Sequence, residues 1–214
     1  KKYPKRGAMI PEVMYMAADT YYRHGMFAES VERLNKIFVY DANHKFAAIA
    51  AVRIIQAYAQ LRRWNRVEEW SRKVIKTRNF KFKSKKELRE YIAIAINANA
   101  IDLMKQRKTD EAIAESSRLI REFKDNKELA CKARMNLAVL YERAKRIKDA
   151  VGTYETVVKT CKKQEDIASE AQYVIGVIYE SQTRFKEAAD AFLKMEKFKK
   201  ADKAADAVIN AGLI

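Results

Sequence analysis

Residues 175–188 read "IGVIYESQTRFKEA", and their spacing decides the fold. The small residue Gly176 stands three before Tyr179, the aromatic Phe185 six after it, and the small residue Ala188 three beyond that. Side chains three or four apart share one helical face, so the first part reads as the close of a helix, with a tight turn after Tyr179 and a second helix beyond. Working outward, the same order returns four times. It stands in "LAVLYERAKRIKDA" (137–150), "IQAYAQLRRWNRV" (55–67) and "AADTYYRHGMFAES" (17–30), and more weakly in "AIDLMKQRKTDEA" (100–112). The anchors Tyr21, Tyr58, Leu103, Tyr141 and Tyr179 are separated by 37, 45, 38 and 38 residues. Each unit therefore reads as two antiparallel helices, with small residues letting the axes approach and the large anchor filling the space between them.

The pattern resembles the tetratricopeptide repeat (TPR) family over roughly residues 9–198. Its departures are a first aromatic position occupied by Met14, Ala51, Ile96, Arg134 and Gln172, a missing closing proline, and a period longer than the family's ~34 residues. The longer unit and the opening of the chain look like the TPR proteins of bacterial cell envelopes, among them the outer-membrane assembly lipoprotein and the Tol-Pal-associated and gliding-motility TPR proteins. A HEAT-like or Sel1-like helical array is the alternative, without the small-x-x-Tyr at the close of the first helix. The fold expected is all-α: a right-handed α-solenoid of about five TPR-like hairpins plus a partial sixth. Its expected repeats are 9–45, 46–77, 86–126, 127–163 and 164–198 with a partial helix at 200–214, all in one stack over 1–214. Such an array is held by stacking of neighbours and leaves an open surface.

Composition agrees with a helical array. The 214 residues contain 5 Gly and 2 Pro, with 49% hydrophobic and 34% charged residues. This argues against disorder, against a loop-rich sandwich and against a Gly-punctuated α/β fold. No apolar run approaches a membrane span. Lys1 in place of Met and the uncapped helical end read as the cut ends of a longer protein, so no leader can be judged.

The TPR resemblance implies a concave surface lined by the first helix of each pair. Counting back six and two from the anchors gives Tyr15 and Asp19, Val52 and Gln56, Asn97 and Ile101, Met135 and Val139, and Tyr173 and Val177. Of these, Tyr15, Asp19, Gln56, Asn97, Met135 and Tyr173 are the groove candidates. Only Asn97 suits the Lys/Asn carboxylate clamp known in the family, so the expected occupant is an amphipathic helix or apolar segment, with polar touches from Asp19, Arg53, Gln56 and Asn136.

The formal charge of +16 points to an anionic partner. Residues 62–89 hold 12 Lys or Arg against Glu68, Glu69 and Glu87. The long interval places an insertion at 77–87, where Arg78, Lys81, Lys83, Lys85 and Lys86 form a basic patch beside Phe80 and Phe82. An acidic protein or envelope surface is favoured as its partner; nucleic acid and an anionic lipid surface are the alternatives. Cys131 and Cys161 fall at ends that an antiparallel hairpin would bring side by side. A bridge there is conceivable, and an oxidising compartment would favour it, yet free thiols are the preferred reading. His24 and His44 lack partners at metal-ligand spacing, and no phosphate loop, nucleophile elbow or H-E-x-x-H occurs. The chain reads as a non-enzyme without cofactor or metal: a scaffold or adaptor in a bacterial envelope or motility assembly. The periplasm or envelope is favoured over the cytoplasm. A nucleic-acid-binding solenoid and the TPR module of a polysaccharide-export protein are the rival readings.

Overall fold

The computed structural model describes residues 6–77 and 85–198. Ten α-helices occur among the described residues: α1 (Arg6–Arg23), α2 (Phe27–Tyr40), α3 (Lys45–Gln60), α4 (Trp64–Lys76), α5 (Lys85–Lys105), α6 (Thr109–Glu122), α7 (Lys127–Arg143), α8 (Ile147–Thr160), α9 (Glu165–Ser181) and α10 (Phe185–Leu193), followed by a 3₁₀ turn, Lys194–Lys197. No strand occurs among them. The helices form five antiparallel pairs. The chain divides into two compact units, residues 1–99 and 100–214. The partial helix read at 200–214 lies outside the described residues.

Every pair is closed by the same three-residue turn. The anchor carbonyl accepts the amide of the fifth residue on: Met26 to Tyr21 at 3.0 Å, Arg63 to Tyr58 at 2.9 Å, Lys108 to Leu103 at 2.9 Å, Arg146 to Tyr141 at 2.9 Å and Arg184 to Tyr179 at 3.0 Å. The residue between is left-handed, with φ of 75° at Gly25, 53° at Arg62, 62° at Arg107, 60° at Lys145 and 59° at Thr183. This is the Schellman ending, which satisfies orphan carbonyls and reverses the chain. Four-residue links follow α2, α6 and α8. Asn126 caps α7 by accepting the Leu129 amide at 3.1 Å, and His44 caps α3 by accepting that of Phe46 at 3.3 Å.

The small residues of the repeat are where helices touch. In unit 1, Ala18 and Ser30 are fully buried, and the Ser30 hydroxyl donates to the Ala18 carbonyl at 2.9 Å across the α1/α2 contact. Leu34, Ile37, Ile54, Ile55, Val67 and Trp70 fill the unit's core, and Leu88 and Ala95 of α5 join it. In unit 2, Ala138, Ala150, Tyr154, Val157 and Ile175 form the main cluster. At the end of this unit, Gly176 lies under the Phe192 ring, so close that an added Cβ would sit 2.4 Å from its edge. Neighbouring helices pack in chain order from α1 to α4 in unit 1 and from α6 to α10 in unit 2, and first helices also touch, α1 with α3 in unit 1 and α7 with α9 in unit 2.

Candidate functional site

Contact between α1 and α3 places two side-chain stripes next to each other. Glu12, Met16, Asp19 and Arg23 follow one another on α1; Ile49, Arg53 and Gln56 follow one another on α3, each at helical spacing. The stripes are joined at Asp19, which is only 6% exposed. One of its oxygens accepts from Arg23, Nε at 2.8 Å and Nη2 at 2.7 Å. The other lies 2.8 Å from Arg53 Nη2, a close ion pair that is off the hydrogen-bond line. Arg53 also donates to Gln56 Oε1 at 3.2 Å and sits 4.4 Å over the Tyr22 ring. Partial burial works against the charge on Arg53. The hydrogen bond to Tyr15 and the nearby Tyr15, Asp19 and Tyr22 outweigh it, so its pKa stands above the usual guanidinium value. Tyr15 is half-buried, its ring 5.6 Å from that of Phe46.

Four groove candidates of the sequence reading are thus in unit 1, and three of them, Tyr15, Asp19 and Gln56, meet around Arg53. Asp19 is not a ligand waiting for a partner, because its carboxylate is already committed to two arginines. Asn97 is half-buried on α5, between the exposed Ile94 and Ile101 on the same face. In unit 2, Met135 and Val139 are half-buried on α7. Tyr173 on α9 turns toward α10, its ring 5.7 Å from Phe192, while Val177 is exposed. The exposed Ile49 and Ile94 were not among the groove candidates, and Arg53, expected there only as a polar touch, is the hub of the cluster. The signal that finds the isoleucines is helical spacing carried one turn further back, nine residues before the anchors Tyr58 and Leu103.

The thiols are a correction. Cys131 and Cys161 are bonded at an S–S distance of 2.09 Å, with Cα atoms 5.9 Å apart. The antiparallel pairing of α7 and α8 sets the first turn of α7 beside the residue that caps α8, close enough to bridge. In the basic insertion, Arg78, Lys81 and Lys83 lie outside the described residues. Lys85 and Lys86 are exposed in the first turn of α5. His24 is exposed beside the Thr20 carbonyl, and His44 serves as the cap of α3. No helix among the described residues is long and apolar enough to cross a membrane.

Tandem two-helix units with identical turns, touching through their first helices, define a repeat protein of the α-solenoid class. Residues 97–165, from within α5 to the start of α9, match the family model described as tetratricopeptide repeat. Among solved structures, MamA is 18% identical, with 92% of this chain and 95% of that one covered, at a TM-score of 0.50. The apo form of RapI is 14% identical over 94% of this chain at a TM-score of 0.54, and this chain spans 57% of RapI's length. Kinesin light chain-like TPR repeats from Podosopora anserina are 15% identical, with 92% and 97% of the two chains covered, at a TM-score of 0.44. At these identities the likeness to MamA and RapI is one of fold. No curated protein matches the sequence.

Proposed function

We propose that the chain is a non-catalytic scaffold whose first-helix faces hold an apolar or amphipathic segment of another protein. One observation carries this reading: Ile49, Ile94, Ile101 and Val177, at corresponding registers of α3, α5 and α9, are exposed on first helices. Ile49 and Ile94 stand nine residues before their anchors, and Ile101 and Val177 two before theirs; apolar exposure recurring at two registers of one helical face favours a partner over chance exposure. The packed first helices are ordered before a partner arrives, so docking loses little conformational entropy on this side. Asp19, on the α1/α3 face of unit 1, is tied up in ion pairs, which supports binding over catalysis. Substituting Ile49, Ile94, Ile101 and Val177 together by Ser in the full-length protein tests the proposal. Co-purification of the partner is lost while the helical circular dichroism stays unchanged; retention of the partner would refute it.

The assembly proposed is one of a bacterial envelope or motility apparatus. Support comes from the Cys131–Cys161 bridge, since structural disulfides belong to oxidising compartments such as the periplasm. Arg78, Lys81, Lys83, Lys85 and Lys86 would meet an acidic surface of the same assembly and speed its association.

A further inference from the structure

Positive charge is shared unevenly along this chain. Residues 1–99 hold 21 Lys and Arg against 9 Asp and Glu, so +12 of the total +16 belongs to unit 1. The first helices follow this division less evenly, since α7 of unit 2 carries four basic against two acidic residues. In unit 1, α3 has no acidic residue, and α1 has only Glu12 besides Asp19. In unit 2, α9 has four acidic residues and no basic one.

On the α1/α3 face two guanidiniums converge on one carboxylate, which leaves these three groups a net charge of +1, with the exposed Glu12 two turns from Asp19 on the same stripe of α1. The Arg23 side chain is 72% exposed and that of Arg53 29%, whereas the Asp19 carboxylate between them is shut in. Asp19 therefore acts as a brace. It fixes both guanidiniums from behind, and Arg23, which turns Nε and Nη2 toward it, keeps further N–H donors on the solvent side. Exposed apolar side chains stand about one turn from this charge, Met16 on α1 and Ile49 on α3. A fixed cation beside apolar surface matches a helix that carries a carboxylate and, one turn away, apolar residues.

We infer that the α1/α3 face takes an acidic amphipathic helix, one Asp or Glu of which pairs with Arg23 and Arg53 while its apolar neighbours cover Met16 and Ile49. The inference rests on the binding-face reading above and adds the partner's chemistry and the unit that selects it. Bracing makes the pairing favourable, because the guanidiniums are already ordered and a bidentate carboxylate contact loses little further freedom.

The test is fluorescence anisotropy on the whole chain with designed helical peptides of about 18 residues, long enough for five turns. One peptide has a leucine stripe flanked by Glu; its twins have Gln or Lys in place of Glu. The Glu peptide binds about tenfold tighter than the Gln twin at low salt, and the gap narrows as salt rises from about 50 to about 150 mM. Arg23→Gln, at an exposed side chain, closes most of that gap; Lys132→Gln, on α7 of unit 2, leaves it intact. Equal binding of the Glu and Gln peptides, both weakened by Ile49→Ser, would overturn the acidic partner and leave the binding face standing. Absence of peptide binding while the isoleucine variants still lose their co-purified partner overturns it likewise. A short oligouridine that binds through Arg23 with no preference for Glu peptides would replace it with nucleic acid.

Discussion

Two glycines in unit 2 set up an experiment in which the same substitution has opposite signs. Gly152 lies within α8, and a Cβ built there meets nothing within 4 Å. Gly152→Ala therefore returns only the helix-propensity gain, about 1 kcal/mol of stabilisation. Gly176 lies within α9, where the same Cβ would stand 2.4, 2.6 and 2.8 Å from three carbons of the Phe192 ring. Carbon atoms rest at about 3.5–4.0 Å, so the ring must retreat by roughly 1 Å. Phe192 is fully buried with Ala188 and Met195, and the helix that carries it is tied to α9 by the Gln172 side chain donating to the Ala191 carbonyl at 2.8 Å. Overpacking in such a site costs about 3 kcal/mol at the upper end of its usual range, and the propensity gain returns about 1, for a net loss of about 2. At roughly 2–4 °C per kcal/mol for a chain of this size, Gly152→Ala raises Tm by about 3 °C and Gly176→Ala lowers it by about 6 °C. Thermal melts followed by circular dichroism at 222 nm read both. Adding Phe192→Leu to Gly176→Ala recovers part of the loss. A Gly176→Ala protein as stable as its parent would refute the packing argument.

The other predictions concern the turns, the bridge and the ion pairs. Thr183→Gly, at a left-handed β-branched residue, stabilises by roughly 1 kcal/mol in urea melts, and Gly25→Ala destabilises by a similar amount. Reduction of Cys131–Cys161 opens a 30-residue separation and costs about 3–4 kcal/mol, read as an earlier denaturation midpoint in reductant that Cys131→Ser reproduces without it. Arg53→Met removes one of the two cations holding the buried Asp19 and destabilises by about 1–2 kcal/mol, partly recovered by Asp19→Asn in a double-mutant cycle. The hydrogen bond from Arg184 holds the Glu187 carboxyl below the usual glutamate range, against a smaller opposing effect of desolvation. Its stabilising contribution is present above the ordinary glutamate pKa and fades as pH falls through the lowered value; NMR titration shows the midpoint rising in Arg184→Gln.

Much of the hairpin architecture was legible because it depends on residue size at fixed spacing. Ala18, Ala138 and Gly176 mark the close helix approaches, and Tyr21, Tyr141 and Tyr179 mark the last turn of each first helix. The turn's left-handed residue was not legible: the position that is Gly25 in the first pair is Arg62, Arg107, Lys145 and Thr183 in the others. There the Schellman hydrogen bonds outweigh a modest steric cost, so side-chain chemistry leaves no mark. The candidate face was legible in outline, since counting from the anchors reaches Tyr15, Asp19 and Gln56. The ion pairs of Asp19 were not legible, because pairing between α1 and α3 depends on the lateral register of two repeats, which no spacing within one repeat encodes. The bridge was named but not preferred, for a similar reason. Cys131 and Cys161 were placed at adjoining ends, but bonding needs a Cα separation that only the packed pair supplies.

The central claim is that a partner lies on the first helices. A photo-crosslinking residue placed singly at Ile49, at Val177, and at the exposed second-helix positions Glu69 and Thr156 tests it directly in cells that make the full-length protein. The account predicts protein adducts from Ile49 and Val177 and none from Glu69 or Thr156. Adducts confined to Glu69 and Thr156 would contradict it.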